Sequence, residues 1–203
     1  MSDKKTDIEF GEEVAGRTIL ARQMDAFAAC GVRRIVVVAG HRAERVRAAA
    51  AGRAGTTIAV NREYATTNIL HSFSLGLDAL PPPCAFLAVV AGDVAFGPAA
   101  LRTLRTAGDG VHLAIDPARR DAEAVKCRVF GGRLREIGKD LPPDRSDGEF
   151  LGMFTAAGAA AVEAVREETR AILTEGGRDA YLFTMLGRLA ARDGPAVLAH
   201  AVG

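Results

Sequence analysis

Tryptophan is absent from this chain, and lysine occurs at only four positions, 4, 5, 126 and 139, against 22 arginines. Cysteine is nearly as scarce. Cys30, Cys84 and Cys127 lie far apart. Their odd number and wide spacing argue against a disulfide framework and against a cysteine-rich metal site. All three read as small apolar residues of the interior. No run of 18 apolar residues occurs, which removes a transmembrane helix. The polar start Met1-Ser-Asp-Lys-Lys-Thr-Asp7 has no apolar stretch behind it, so it does not read as a secretory signal. Net charge is +1, and bulk electrostatics therefore favour neither nucleic acid nor a membrane surface. A cytoplasmic location is expected. With aromatics at 5 % of residues, the core must be built from Ala, Val and Leu.

What remains is enough for one α/β domain, since 203 residues bury a core without staples. Residues 1–15 are charged and aperiodic and read as a flexible arm, leaving 16–203 as the domain. Ile19, Leu20, Met24, Phe27 and Ala28 recur at three- and four-residue steps, a helix ended by Gly31. Strands are predicted over 34–39 and 57–61, with a helix over 42–50 between them. A helix from 69 to 80 stops at Pro81-Pro82-Pro83. Another apolar strand and a helix over 98–106 follow. After residue 110 the strands are short and alternating, and Gly131-Gly132 reads as a two-residue hairpin turn. A strand over 150–157, helices over 158–174 and 179–192 and a strand over 196–201 close the chain. The alternation predicts a Rossmann-like, doubly wound mixed sheet, mostly parallel.

The most informative stretch is Phe86-Leu-Ala-Val-Val-Ala-Gly-Asp93. It is apolar on both faces, which predicts a central buried strand. Its abrupt end puts a carboxylate at the carboxyl edge of the sheet, where open α/β sheets bind ligands. Gly92 allows close approach to the backbone. One carboxylate plus phosphate oxygens suits Mg²⁺, although Asp93 also fits a turn or cap. The second informative stretch is Asn61-Arg-Glu-Tyr64-Ala-Thr-Thr67-Asn68-Ile-Leu-His71-Ser72. Thr67 or Asn68 can cap a helix. Equally, two carboxamides and a helix start suit a base edge or a phosphate.

These segments, with Gly16-Arg-Thr-Ile-Leu-Ala-Arg-Gln23, Val36-Val-Val-Ala-Gly-His-Arg-Ala-Glu44 and Ala91-Gly-Asp93, occur in the order found in nucleotidyltransferases. The chain most resembles the branch that loads phosphocholine or phosphonates onto CMP. Ile115-Asp116, Glu123-Ala-Val-Lys126, Ile137-Gly-Lys139 and Gly148-Glu-Phe-Leu-Gly152 resemble that branch's hairpin, lysine and Gly-Glu-aromatic-x-Gly motifs. The resemblance implies transfer of a nucleotidyl, cytidylyl-type group from a nucleoside triphosphate to a small phosphate or phosphonate acceptor. It implies Mg²⁺ on Asp93, and Lys126 and Lys139 as neutralising charges. Asn61, Thr67, Asn68, Ser72, Gly92 and Glu149 become substrate contacts, with Glu149 facing the acceptor. A homodimer is compatible with it, and it calls for neither nucleic acid nor a membrane.

Two parts of the family pattern are not found in this sequence. The family opens with a buried strand and a Gly-rich loop that wraps the triphosphate, and Ile8-Glu-Phe10-Gly11 is too short and polar for that strand. The later segment with a second metal-binding Asp is not found before Gly203 either. A degenerate relative that binds a ligand or partner is therefore the alternative reading. Lys126 and Lys139 can also be solvated strand residues and Glu149 a turn carboxylate, while His71 reads as a partly buried helix residue. A metal-dependent glycosyltransferase shares such a sheet but wants a second carboxylate after the strand, which Asp93-Val94-Ala95 lacks.

Overall fold

The computed structural model of the chain describes residues 13, 14 and 16–202. The expected arm, 1–15, lies almost wholly outside them. Strands β1 (Glu13–Val14) and β2 (Arg17–Thr18) form a minimal antiparallel pair. Thr18 then caps α1 (Ile19–Ala29), its hydroxyl accepting from the Ala21 amide at 3.2 Å. The cap satisfies one of the donors that every helix start leaves unpaired. β3 (Ile35–Ala39), α2 (Ala43–Ala50), β4 (Thr56–Val60) and α3 (Ile69–Asp78) follow. Next come β5 (Phe86–Val90), α4 (Pro98–Arg105) and β6 (Gly110–Asp116). β7 (Lys126–Phe130) and β8 (Arg133–Gly138) flank the turn at Gly131-Gly132. β9 (Gly148–Ala157), α5 (Ala159–Thr174), α6 (Leu182–Ala190) and β10 (Val197–Ala201) complete the order. Periodicity and turn chemistry placed the elements from α1 onwards to within a few residues, whereas the pair β1–β2 was not expected.

The pairing differs from the sequence expectation in two respects. The sheet is mixed, but antiparallel pairs outnumber parallel ones. Among the described residues only the strand pairs β3–β4 and β6–β10 are parallel, while β9 runs antiparallel to β5, β6 and β7. The ten residues of β9 are long enough to serve all three neighbours, and a strand that arrives from a hairpin and a loop need not use a crossover helix. Its start also pairs with β7, so the order β9-β6-β10-β8-β7 closes on itself. The second difference concerns β5. It was expected at the centre of the sheet, yet among the described residues it pairs only with β9. β3 and β4 form their own two-stranded sheet.

β5 is still covered on both faces, which explains why its sequence reads as central. On one side Phe86, Ala88 and Val90 join Phe27 of α1 with Leu101 and Leu104 of α4. On the other, Leu87 and Val89 pack with Leu70, Phe73 and Leu77 of α3 and with α5. Each fully buried leucine of this set contributes roughly 1.5–3 kcal/mol. A third cluster packs Leu20 and Met24 of α1 and Val46 of α2 on Val37 and Ala39 of β3. Cys30 and Cys127 are buried, and Cys84 is only half-buried. Burial first, then the nearby Asp147 charge, pushes the Cys127 thiol up to about 12, which leaves it unreactive. No helix among the described residues is long and apolar enough to cross a membrane.

Candidate functional site

The chain leaves β5 through Ala91-Gly92-Asp93, and the turn is held from both sides. The Ala91 amide donates to the Gly152 carbonyl at 2.9 Å, and the Val94 amide to the Ala91 carbonyl at 3.2 Å. From α1, the Gln23 carboxamide donates to the Ala91 carbonyl at 2.9 Å and to the Val94 carbonyl at 2.8 Å. Gln23 is 3 % exposed. The Asp93 carboxylate itself is exposed, on a turn that is fixed beneath it.

Across from this turn stands the motif Gly148-Glu-Phe-Leu-Gly152, and both its glycines are needed for close approach. Gly152 has φ +69°, and a Cβ there would sit 3.2 Å from the Ala91 and Val94 side chains. A Cβ on Gly148 would lie 2.7 Å from the Asp116 carbonyl oxygen. β9 can therefore lie tight against the Asp93 turn and the end of β6 only with glycine at both places.

Between these walls lies a pocket of about 610 Å³. Phe96, Phe150, Leu151, Met153 and Leu182 make it largely apolar, and its charged groups are Asp93, Lys139 and Glu149. That is the usual make-up of a small-molecule site, apolar with a few convergent polar groups. Glu149 Oε2 is buried and has no hydrogen-bond partner. Its nearest cation, Arg119 Nε, is 3.6 Å away, too far for a hydrogen bond. Such an oxygen is costly without a donor, and it lies at the pocket wall. Tyr181 and Phe183 stack at 5.0 Å with their planes 12° apart and line the same pocket.

Lys126 pairs with Glu149 across β7 and β9 but does not itself line the pocket. It is 1 % exposed, and its ammonium donates to the carbonyls of Ala124 (3.1 Å), Ala122 (3.2 Å) and Asp121 (3.4 Å). Those three acceptors use all three of its donors and tie down the loop before β7. The Asn61 group is similarly occupied. Asn61, 2 % exposed, donates to Thr67 Oγ1 and Ser72 Oγ, both at 3.0 Å, and accepts from the Glu63 amide at 2.9 Å. Thr67 donates onward to the Glu63 carbonyl, and Asn68 caps α3 through the Ile69 amide at 2.8 Å. Asn61 thus organises the loop between β4 and α3. Thr67, Asn68, Ser72 and Gly92 border a second cavity of about 930 Å³ that opens between β3 and β5. His71 lies 3.5 Å from Glu63, whose carboxyl is held below its ordinary range by the hydrogen bond from Arg178.

Asp93 is the carboxylate at this strand end that could face a divalent cation. Among the described residues no three His, Cys, Asp or Glu side chains come together. Asp93 at a strand end, with phosphate oxygens of a ligand completing the shell, is nonetheless the sparse donor set that Mg²⁺ accepts.

Sequence reasoning missed Gln23, Tyr181 and Phe183. Gln23 left a signal, being an uncharged polar residue on the apolar stripe of α1. Tyr181-x-Phe183, directly ahead of α6, supplied another in a chain this poor in aromatics.

The architecture is that of the nucleotidyltransferases. The inositol-1-phosphate CTP transferase from T. maritima matches with a TM-score of 0.76 over 95 % of this chain and 76 % of that one, at 19 % identity. Residues 5–180 match the MobA-like NTP transferase domain, and the chain belongs to that family. Among curated relatives, the bifunctional IPC transferase and DIPP synthase of Rubrobacter xylanophilus is 36 % identical over 160 residues, 76 % of this chain and 35 % of that protein. The bifunctional protein GlmU of Acidovorax sp. (strain JS42) is 29 % identical over 199 residues, 95 % of this chain and 42 % of that one. The chain thus spans about two fifths of the length of the GlmU relative.

Proposed function

We propose that this protein transfers a nucleotidyl group, cytidylyl by resemblance, from a nucleoside triphosphate to a small phosphate or phosphonate acceptor in the 610 Å³ pocket. An acceptor oxygen attacks the α-phosphorus, a new P–O bond forms, and the bond to the departing pyrophosphate breaks. Such chemistry needs positioning and charge neutralisation more than covalent help. Asp93 would hold Mg²⁺, which when bound screens the phosphate charge. Lys139 neutralises the acceptor's anionic group. Glu149 accepts a hydrogen bond from the far end of the acceptor, an amino or hydroxyl group. Lys126 acts through the loop whose carbonyls it holds. Tyr181 and Phe183 wall off water.

The observation that carries this reading is that Asp93, Lys139 and Glu149, whose buried Oε2 has an ion pair to Arg119 but no hydrogen bond, line one apolar-walled pocket. The test is pyrophosphate release with each of the four NTPs, Mg²⁺ and a panel of phosphorylated amino alcohols, polyols and sugars. Release that needs both NTP and acceptor and vanishes in Asp93→Asn supports it. No release with any pair, under conditions where the chain is folded, overturns it. The open cavity between β3 and β5 favours a second reading, a relative that binds ligands without turning them over. Under that reading, acceptors raise the melting temperature by mass action while NTPs are left intact.

A further inference from the structure

Of the two carboxylates that line the 610 Å³ pocket, Asp93 and Glu149, only Glu149 has an ion-pair partner among the described residues. That partner, Arg119, sits outside the pocket lining, on the loop between β6 and β7. Its Nε lies 3.6 Å from Glu149 Oε2, and its Nη2 lies 3.6 Å from Asp121 Oδ2. Both gaps are too long for a hydrogen bond, so the guanidinium gives Glu149 charge and no donor. The groups opposite Glu149 in the sheet give no donor either. Asp116 on β6 accepts from the Ala118 amide at 2.9 Å, and Lys126 on β7 turns its ammonium to loop carbonyls. These same two contacts hold the loop on either side of residue 119. The Arg119 side chain is 62 % exposed, while Glu149 Oε2 is shut off from water. The carboxylate is thus compensated in charge and short of a hydrogen bond.

We infer that Arg119 is a specificity-determining residue of this pocket, admitting an acceptor whose far end is a hydroxyl and disfavouring one that ends in an ammonium. The inference rests on the reading of the pocket as an acceptor site. A hydroxyl donates one hydrogen bond to the carboxylate and leaves the ion pair with Arg119 intact. An ammonium brings a second cation to the same carboxylate. It must share Glu149 with the guanidinium at close range, where like charges repel, or displace it. An ammonium also gives up more hydration than a hydroxyl on entering an apolar-walled pocket. With the charge of Glu149 already matched by Arg119, that loss is not offset. Arg119 acts through Glu149 and does not touch the acceptor, unlike Lys139, which lines the pocket. Without Arg119 the carboxylate is left uncompensated and partly withdrawn from water. The preference then turns over, because an ammonium supplies both the charge and the donor that Glu149 lacks.

The experiment is calorimetric binding on the full 203-residue chain with three matched probes, hydroxyethyl phosphate, aminoethyl phosphate and ethyl phosphate. The parent should bind the hydroxyl probe on the order of fivefold more tightly than the ammonium probe, the upper end for a partly exposed charge pair. Ethyl phosphate, which offers Glu149 no donor, should bind more weakly than the hydroxyl probe. In Arg119→Ala the order of the hydroxyl and ammonium probes should invert. Arg119→Lys, which keeps the charge, should keep the parent's order, and a residue that merely holds the loop would not sort the variants by charge. Thermal melting of each variant shows that it is folded. An ammonium probe bound by the parent as tightly as the hydroxyl probe, or more tightly, would overturn the inference. So would an order unchanged in Arg119→Ala, or a parent that binds none of the three probes. Pyrophosphate release is read separately. Release with an unchanged order sinks this inference alone, whereas an inverted order without release supports it and sinks the transfer reaction.

Discussion

Replacing Gln23 by methionine should loosen the Asp93 turn from a helix that never touches the pocket's contents. Methionine keeps the length and flexibility of glutamine and fits apolar surroundings, so packing is nearly preserved. What is lost are the two donated hydrogen bonds, at 2.9 Å to the Ala91 carbonyl and 2.8 Å to the Val94 carbonyl. Each is worth a net of about 0.5–1.5 kcal/mol, so the variant should lose about 1–3 kcal/mol. In a chain of this length that lowers Tm by roughly 2–4 °C per kcal/mol. The damage is local, because the carbonyls flank Gly92 and Asp93. Urea titration followed by circular dichroism measures the first effect. Magnesium-dependent nucleotide binding by calorimetry, well below the transition, measures the second. Affinity should fall even where the variant is fully folded. A urea midpoint equal to the parent's, together with unchanged affinity, would refute the reasoning that Gln23 positions the turn.

Asp93→Asn should abolish magnesium-dependent nucleotide binding with stability within about 0.5 kcal/mol of the parent, since the side chain is exposed; calorimetry beside thermal melting checks both. Lys139→Ala should weaken phosphorylated ligands with little change in Tm. Lys126→Ala should instead cost about 2–4 kcal/mol, because it empties a buried site, and denaturant titration of the pair separates the roles. His112 and His200 face each other, Nδ1 to Nε2, at 3.0 Å across the parallel pair β6–β10. Burial depresses both below their ordinary 6.5, with His112 further lowering His200. The unfolded chain therefore binds more protons just below pH 6.5, so their contribution is intact above that value and is lost as pH falls through the folded values. Urea midpoints from pH 8 to pH 5 should decline below pH 6.5, and less so in His200→Gln. Asp25, Glu63 and Glu175, all depressed by arginine partners, would act only at lower pH.

Local structure was legible in the chain because its signals are local. The three- and four-residue spacing in 19–28 and the glycine pair at 131–132 act over a few residues, and the structure follows them. The end of the apolar run at Gly92-Asp93 was likewise enough to put a carboxylate at a strand end. Long-range pairing was not legible. Nothing in residues 148–157 announces that they will run antiparallel between β5 and β6, because an apolar strand is equally apolar whichever way its neighbours run. Residue type also failed to separate the two lysines. Lys126 and Lys139 look alike in sequence, and only the tertiary structure puts one ammonium onto three loop carbonyls and the other beside the pocket. Residues 86–90 are apolar on both faces because helices cover them from both sides, which the sequence determined. Whether a strand lies on each flank depends on which backbone edges meet, and side-chain pattern does not encode that. Only the tertiary structure shows that β5, among the described residues, pairs with β9 alone.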